Sequence, residues 1–201
     1  MSDDRELLER WRDGDTTAGS ALFERHFESL RRFYRSKVPV TEVEDLMQRA
    51  LLSCLESVAS FRGDSSFRTY LFVIARRELY DHIERKARAA RREVPDFGVT
   101  SIRDGGETPS MVALAREHHA IIAEAMLQIP VDFQITLELF YWEQLRGPEL
   151  AEVLGISPTT VRTRLHRARQ ALRGKLSQIA PQLSADDAAL ESTVRGLASV
   201  L

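Results

Sequence analysis

The sequence predicts an all-α protein made of two small helical domains joined by a flexible linker. Three observations carry this. Apolar residues recur three and four positions apart almost throughout, the spacing that gathers them on one face of a helix. Glycine and proline are sparse, 10 and 7 in 201 residues. The periodicity also stops over one stretch, residues 93–110, where Pro95, Gly98, Gly105, Gly106 and Pro109 stand among polar residues, as in a linker. The length suits one large domain or two small ones.

The elements follow in order. Residues 18–37 read as an amphipathic helix with Leu22, Phe23, Phe27, Leu30 and Tyr34 on one side. Thr41 with Glu44 three positions later fits a capping box, opening a helix through Leu46, Ala50, Leu51 and Leu55. Phe61-Arg62-Gly63-Asp64-Ser65-Ser66 breaks the pattern as a short polar loop. A long helix then carries Phe67, Leu71, Ala75, Leu79, Ile83 and Ala87 in an unbroken i+4 series. Beyond the linker, helices resume near Pro109 and run to about Leu176. A tail, 177–201, holds one more helix, opened by Ser184 with Asp187 at the third position; its Ala188, Leu190, Val194, Leu197 and Leu201 are expected to pack on the second domain, with a regulatory role as the alternative.

The segment Arg146–Val161 is the most strongly punctuated. Gly147-Pro148 starts a helix, with proline where its missing N–H costs nothing. Gly155 supplies the left-handed turn that ends it, and Ser157-Pro158 caps and starts the next. Two short helices joined by a tight glycine turn are the helix-turn-helix plan, whose second helix enters the major groove. On that helix Val161, Leu165, Ala168 and Leu172 fall on one stripe. Opposite lie Thr159, Thr163, His166 and Gln170, flanked by Arg162, Arg167 and Arg173. A face of Thr, His, Gln and Arg without an acid suits a polyanion: arginine bonds guanine edges or phosphate, and threonine reaches base edges or backbone.

The formal net charge of −2 argues against a nucleic-acid partner until it is divided along the chain. Phe61–Arg92 holds 9 basic and 4 acidic residues, and Val161–Leu176 holds 6 basic and none acidic. Between them, Glu93–Thr160 holds 3 basic and 11 acidic residues. Two basic blocks on an otherwise acidic chain point to two separate anionic contacts. In the first block, arginines interleave with Phe67, Tyr70, Phe72 and Tyr80, which suits single-stranded nucleic acid, where bases stack on rings and phosphates meet cations.

Other classes fall away. No apolar run is long enough to span a membrane. The acidic start MSDDRELLERW lacks the apolar core of a secretory signal. The single Cys54 excludes an internal disulfide or cysteine-based metal cluster, so a cytoplasmic protein without cofactor or metal is expected. Glu117-His118-His119 lacks further ligands, and Glu42, Glu44 and Asp45 open a helix, where acids favour the dipole. Cys54 reads as a small core residue.

The stretch FRGDSSFRTYLFVIARRELYDHIERKARAARR, preceded by EVEDLMQRALLSCLESV, resembles the second conserved region of bacterial sigma factors of the extracytoplasmic-function (ECF) group. IPVDFQITLELFYWEQLRGPELAEVLGISPTTVRTRLHRARQAL resembles their fourth region. The match covers about residues 18–92 and 115–176 in the family's order, and the pair in that order is highly specific.

The resemblance implies a non-enzymatic alternative sigma factor that binds core RNA polymerase and directs it to −35 and −10 promoter elements. It divides the chain into a region 2-like domain (1–92), a linker (93–112), a region 4-like domain (113–176) and a tail (177–201). Asp45, Leu46, Met47 and Gln48 match the surface that docks on the β′ clamp helices. The second domain is implied to meet the β flap. Arg62, Asp64, Ser65, Ser66, Phe67, Arg68 and Tyr70 match the part that melts the −10 element and holds a flipped base, flanked by Arg76, Arg77, Tyr80 and Arg85. Ser157, Thr159, Thr160, Arg162, Thr163, His166 and Arg167 match the −35 reader. Promoter DNA and an anti-sigma factor, often membrane-bound in relatives, complete the implied partners; no membrane insertion of this chain is implied. Arg49, Leu51, Tyr70, Arg77 and Ile135 depart from the usual pattern, and Tyr70 keeps a stacking ring where Trp is common. A stand-alone operator binder is the alternative reading, but it has no need of the 44–92 pattern.

Overall fold

The computed structural model describes residues 3–61, 63–93, 115–181, 191 and 194–196. Among them there are helices and no strands. The helices are α1 (Asp4–Arg12), α2 (Thr16–Arg35), α3 (Val40–Ser57), α4 (Phe67–Glu93), α5 (Ala115–Leu127), α6 (Val131–Tyr141), α7 (Gly147–Leu154) and α8 (Pro158–Ile179), with a 3-10 turn, Val58–Ser60, after α3. Most of the predicted linker, residues 94–112, lies outside the described residues, as do Ser184, Asp187, Ala188, Leu190, Leu197 and Leu201 of the tail.

Helices α1–α4 form a first unit. Short α1 is fixed by Leu7, Leu8 and Trp11, all buried. It lies so close to α2 that a Cβ on Gly19 would stand 2.7 Å from the Trp11 ring, so only glycine admits this crossing. Asp15 caps α2, accepting from the backbone N–H of Thr17 and Ala18. The core gathers Leu22, Leu30, Tyr34, Leu46, Ala50, Cys54, Leu71, Phe72, Ala75 and Leu79. Tyr34 Oη donates to the Ala75 carbonyl at 3.1 Å, which satisfies the hydroxyl that burial strips of water.

Three sequence expectations need correction here. Thr41 does not cap α3: the helix begins at Val40 behind Pro39, with no side-chain cap, and Glu42 turns instead to His82 and Lys86. Phe27 is 45% exposed. His26 takes the inward position beside it, bonded to Asp4 and against the Phe67 ring. The α4 series holds the core only to Leu79; Ile83 is half-buried and Ala87 exposed.

Helices α5–α8 form a second unit around Ile122, Ala125, Met126, Ile129, Leu137, Tyr141, Trp142, Ala168, Leu172 and Leu176. The described part of the tail closes it, as expected for Val194. That residue is 1% exposed, its carbonyl accepts from Trp142 Nε1 at 2.6 Å, and Glu191 accepts from Tyr141.

The two units are not separate in space. The inner faces of α6 and α7 and the start of α8, through Ile135, Leu139, Leu145, Leu150, Val153, Leu154, Val161 and Leu165, continue the apolar cluster of the first unit. Helix α7 lies across α4.

Candidate nucleic-acid interface

The first basic block is shaped by how α4 begins. Gly63 adopts a φ of +80°, a left-handed turn open to glycine at no steric cost. Ser66 Oγ then accepts from the Thr69 backbone N–H at 3.1 Å, capping the helix. Phe67 points inward, edge-on to Trp11 and Phe23, so among the residues matched to −10 DNA it is a core residue rather than a surface one. Tyr70 is half-buried. Its ring lies 4.4 Å from that of Phe61 and its hydroxyl 2.5 Å from Ser57 Oγ, which leaves one ring face held by protein. Burial raises the Tyr70 pKa, the Ser57 bond opposing.

The remaining residues of that set divide in two. Asp64, Arg77 and Arg85 are exposed. Ser65, Ser66, Arg68, Arg76 and Tyr80 face the second unit. Ser65 donates to Glu152 at 2.9 Å and Ser66 to Glu149 at 3.3 Å. Arg68 pairs with Glu143, which also holds Arg32 at 2.8 Å. Tyr80 Oη donates to Asp132 at 2.6 Å, while the Arg76 guanidinium lies 4.7 Å from the Tyr80 ring centre. Burial and the neighbouring Asp132 carboxylate push the Tyr80 hydroxyl up to about 12. Arg62 lies outside the described residues.

Glu143 is 4% exposed at its side chain. Burial alone would raise its pKa, but the hydrogen bonds and charges of Arg68 and Arg32 outweigh that and hold it below the ordinary carboxylate range. Beside it, Lys37 and Glu138 form an ion pair whose side chains are 1% and 2% exposed. There burial dominates, lowering the lysine pKa and raising the glutamate pKa against their mutual attraction. Sequence reasoning missed Arg32, Lys37, Glu138 and Glu143. The one available signal was Glu138 inside the apolar run ITLELFYW, where an acid needs a buried partner.

The second basic block is built as the sequence predicts. Pro148 sits in the first turn of α7, Gly155 closes it at φ +64°, and Ser157 Oγ accepts from the Thr160 N–H at 3.2 Å to cap α8. Val161, Leu165, Ala168, Leu172 and Leu176 are buried. Ser157, Thr159, Thr160, Arg162, Thr163, His166 and Arg167 are all exposed, together with Gln170. Arg164 turns back, 3.7 Å from Asp132. The outer face of α8 thus offers hydroxyls, an imidazole and guanidinium groups on one rigid helix, the donor set that reads major-groove base edges and grips phosphate.

Of the four residues matched to polymerase docking, Asp45 and Gln48 are exposed on α3, whereas Leu46 and Met47 are core, 0% and 4% exposed. Leu46 and Met47 belong to the inward stripe Val43, Leu46, Met47, Ala50 and Cys54. Exposed Leu52 and Leu55 share the outer side of α3 with Asp45 and Gln48. Cys54 is fully buried, and burial pushes its thiol up to about 12. Among the described residues no group of His, Cys, Asp and Glu is arranged to hold a metal. Among them, too, no helix is long and apolar enough to cross a membrane. The side chains of Glu117, His118 and His119 lie outside the described residues.

Comparison with known proteins converges on both blocks. Residues 22–89 match the family model for sigma-70 region 2, and residues 119–172 match that for sigma-70 region 4, together well over half of the chain. The ECF RNA polymerase sigma-E factor of Haemophilus influenzae is 28% identical over 184 residues, covering 88% of this chain and 96% of that protein. The sigma-E factor of Escherichia coli K12 is 27% identical over 182 residues, covering 88% of this chain and 95% of that protein. Among solved structures, CnrH in complex with the cytosolic domain of CnrY is 28% identical with a TM-score of 0.64, covering 87% of this chain and 97% of that one. The Bartonella quintana sigma factor RpoE, solved with the anti-sigma factor NepR, shares the fold at 21% identity and a TM-score of 0.63, covering 79% of this chain and 96% of that one.

Proposed function

Because the chain belongs to the sigma-70 family, as an alternative sigma factor of the ECF group that directs RNA polymerase in transcription initiation, we propose that its two basic faces divide promoter recognition between them. The second unit reads the −35 element through Thr159, Thr160, Arg162, Thr163, His166 and Arg167, with Ser157 placing the helix start against the backbone. The first unit opens the −10 element and holds its single strand along Arg62, Asp64, Ser65, Ser66, Arg68 and Tyr70, flanked by Arg76, Arg77, Tyr80 and Arg85. Phe67 supports this surface from beneath. The observation that carries the reading is the outer face of α8: six exposed residues matched to the −35 reader, with exposed Ser157 capping them, on a helix that contains no acid.

The work is binding and strand separation, with bond chemistry left to the polymerase. Extruding a base costs a few kcal/mol. Stacking on a ring such as Tyr70, worth about 1–3 kcal/mol per base, offsets a cost of that size. Exposed Asp45 and Gln48 of α3, with Leu52 and Leu55 beside them, supply the surface for the β′ clamp helices, and Leu46 and Met47 set the helix from the core. The second unit meets the β flap, a partner protein of the anti-sigma kind holds the factor inactive, and the site of action is the cytoplasm.

Transcription in vitro with sigma-free core polymerase tests this reading. Promoter-specific transcripts from genomic DNA of the same source are expected only when the chain is added. Folded protein that yields none on any such promoter would overturn it.

A further inference from the structure

Three arginines from distant parts of the second unit gather around two aromatic rings. Arg146 precedes α7, Arg169 lies on α8, and Arg195 lies in the tail, beyond residue 172 where the match to region 4 ends. The rings of Phe140 and Tyr141 stand edge-on at the end of α6, 5.0 Å apart. The Arg146 guanidinium lies 3.9 Å from the centre of the Phe140 ring, and that of Arg169 lies 5.4 Å from it. Arg169 and Arg195 stand 5.6 and 5.9 Å from the centre of the Tyr141 ring.

Each of the three is held in place. Arg146 donates to the carbonyls of Phe140 and Leu145, and Arg169 Nε donates to Tyr141 Oη at 2.8 Å. Val194, buried and bonded through its carbonyl to Trp142, anchors the tail and so sets the neighbouring Arg195. Among the described residues the trio shares one carboxylate. Glu191 lies 3.2 Å from Arg169 and 4.0 Å from Arg195, the second beyond hydrogen-bond distance. Partial burial, and after it the charge of Arg195, hold the Arg146 pKa below the ordinary arginine value. Like charges this close repel one another, and a further anion would relieve the repulsion.

Arg169 stands seven positions after Arg162, close to two full turns, so the two lie on one line of α8 about 10 Å apart. The trio is therefore continuous with the outer face of that helix. We propose that Arg146, Arg169 and Arg195 form a phosphate-binding patch through which the second unit grips the duplex backbone beside the −35 element, with the tail supplying one cation. A phosphodiester fits this arrangement. A guanidinium offers parallel N–H donors to its two free oxygens, and stacking on a ring leaves that donor edge open. The patch reads no base; it adds affinity and fixes how α8 lies in the groove. This rests on the −35 role proposed above for α8.

The test uses holoenzyme saturated with the chain. Its probe is a duplex that carries the −35 element of a promoter found by transcription and ends before the −10 element. A variant combining Arg146→Gln and Arg195→Gln is compared with a charge-matched control, Arg5→Gln with Arg12→Gln, both exposed on α1. The patch variant is expected to bind more weakly, and its slope of log K against log salt to be shallower by about 0.9 per arginine removed. The ranking of single-base variants of the element should stay as in the wild type. A slope equal to the control's, or an altered ranking, overturns the proposal. Unchanged DNA binding with weaker assembly on core polymerase also overturns it, and assigns the patch to an acidic protein segment.

If the double variant does not fold, the tail residue decides alone. Arg195→Gln is expected to reduce the slope and Arg195→Lys to restore it; a wild-type slope in Arg195→Gln overturns the proposal. Arg162→Ala keeps the two readings apart. If it shifts base preference while the patch variant keeps the control's slope, the patch alone fails. If it changes nothing while the patch variant loses slope, the base-reading role of α8 fails and the backbone contact stands.

Discussion

At the scale of single residues, what each side chain does depends on which way its helix turns it. Arg162 and Arg164 are two positions apart on α8, about 200° around the helix. The first is exposed and the second faces Asp132. Arg162→Ala is therefore expected to cost about 1–3 kcal/mol at one base pair of the −35 element, measured by competition among single-base variants of the site. A uniform loss over all sequences would make Arg162 a phosphate contact instead. The same reasoning separates Asp45 and Gln48 from Leu46 and Met47. The stripe Val43, Leu46, Met47, Ala50 and Cys54 was legible in the sequence by its spacing, whereas a motif taken as a block concealed it. The boundaries of α7 and α8 were the most legible features, because Ser157, Pro158 and Gly155 act within one turn of where they stand, whereas the cap expected at Thr41 did not form.

At the scale of elements, the segment from α6 to α7 ties the chain together through groups whose protonation matters. Glu143, bonded to Arg68 and Arg32, has a folded pKa below its unfolded one. Its contribution is thus fully present above the ordinary glutamate value of about 4.3 and is lost as pH falls through the folded value. Asp4, bonded to Arg25 and His26, and Glu42, bonded to Lys86 and His82, share this sign. Glu138 has the opposite one, because burial favours its protonated form. Acidification from about pH 6 to 3 is expected to expand the chain, followed by scattering, with the transition weakened in Glu143→Gln. An identical transition in the two proteins would contradict the role given to Glu143. Beyond Glu138 standing in an apolar run, none of this coupling was legible in the sequence. Periodicity shows that a helix has an inner face and does not show what covers it, and Lys37 and Glu138 are 101 residues apart. Short α1 was missed for a related reason: it spans 9 residues, and its place is fixed by Trp11 against Gly19 rather than by its own pattern.

At the scale of the whole molecule, the net charge of −2 conceals a division that the fold puts to use. The acidic stretch lies between two basic blocks in sequence, and its α6–α7 part lies against the first of them in space. The all-helical class and the helix-turn-helix were legible from local chemistry; the apposition of the units was not, since it depends on contacts between distant residues. A factor with this charge division keeps its overall field weak when free. Permanganate reactivity of promoter thymines in complexes of this chain with core polymerase tests the division of labour most directly. Reactive thymines in the −10 element are expected with the wild-type chain. With Tyr70→Ala and Arg77→Ala combined they should become unreactive, while protection of the −35 element persists. Unchanged thymine reactivity in that variant, or loss of −35 protection along with it, would contradict the account.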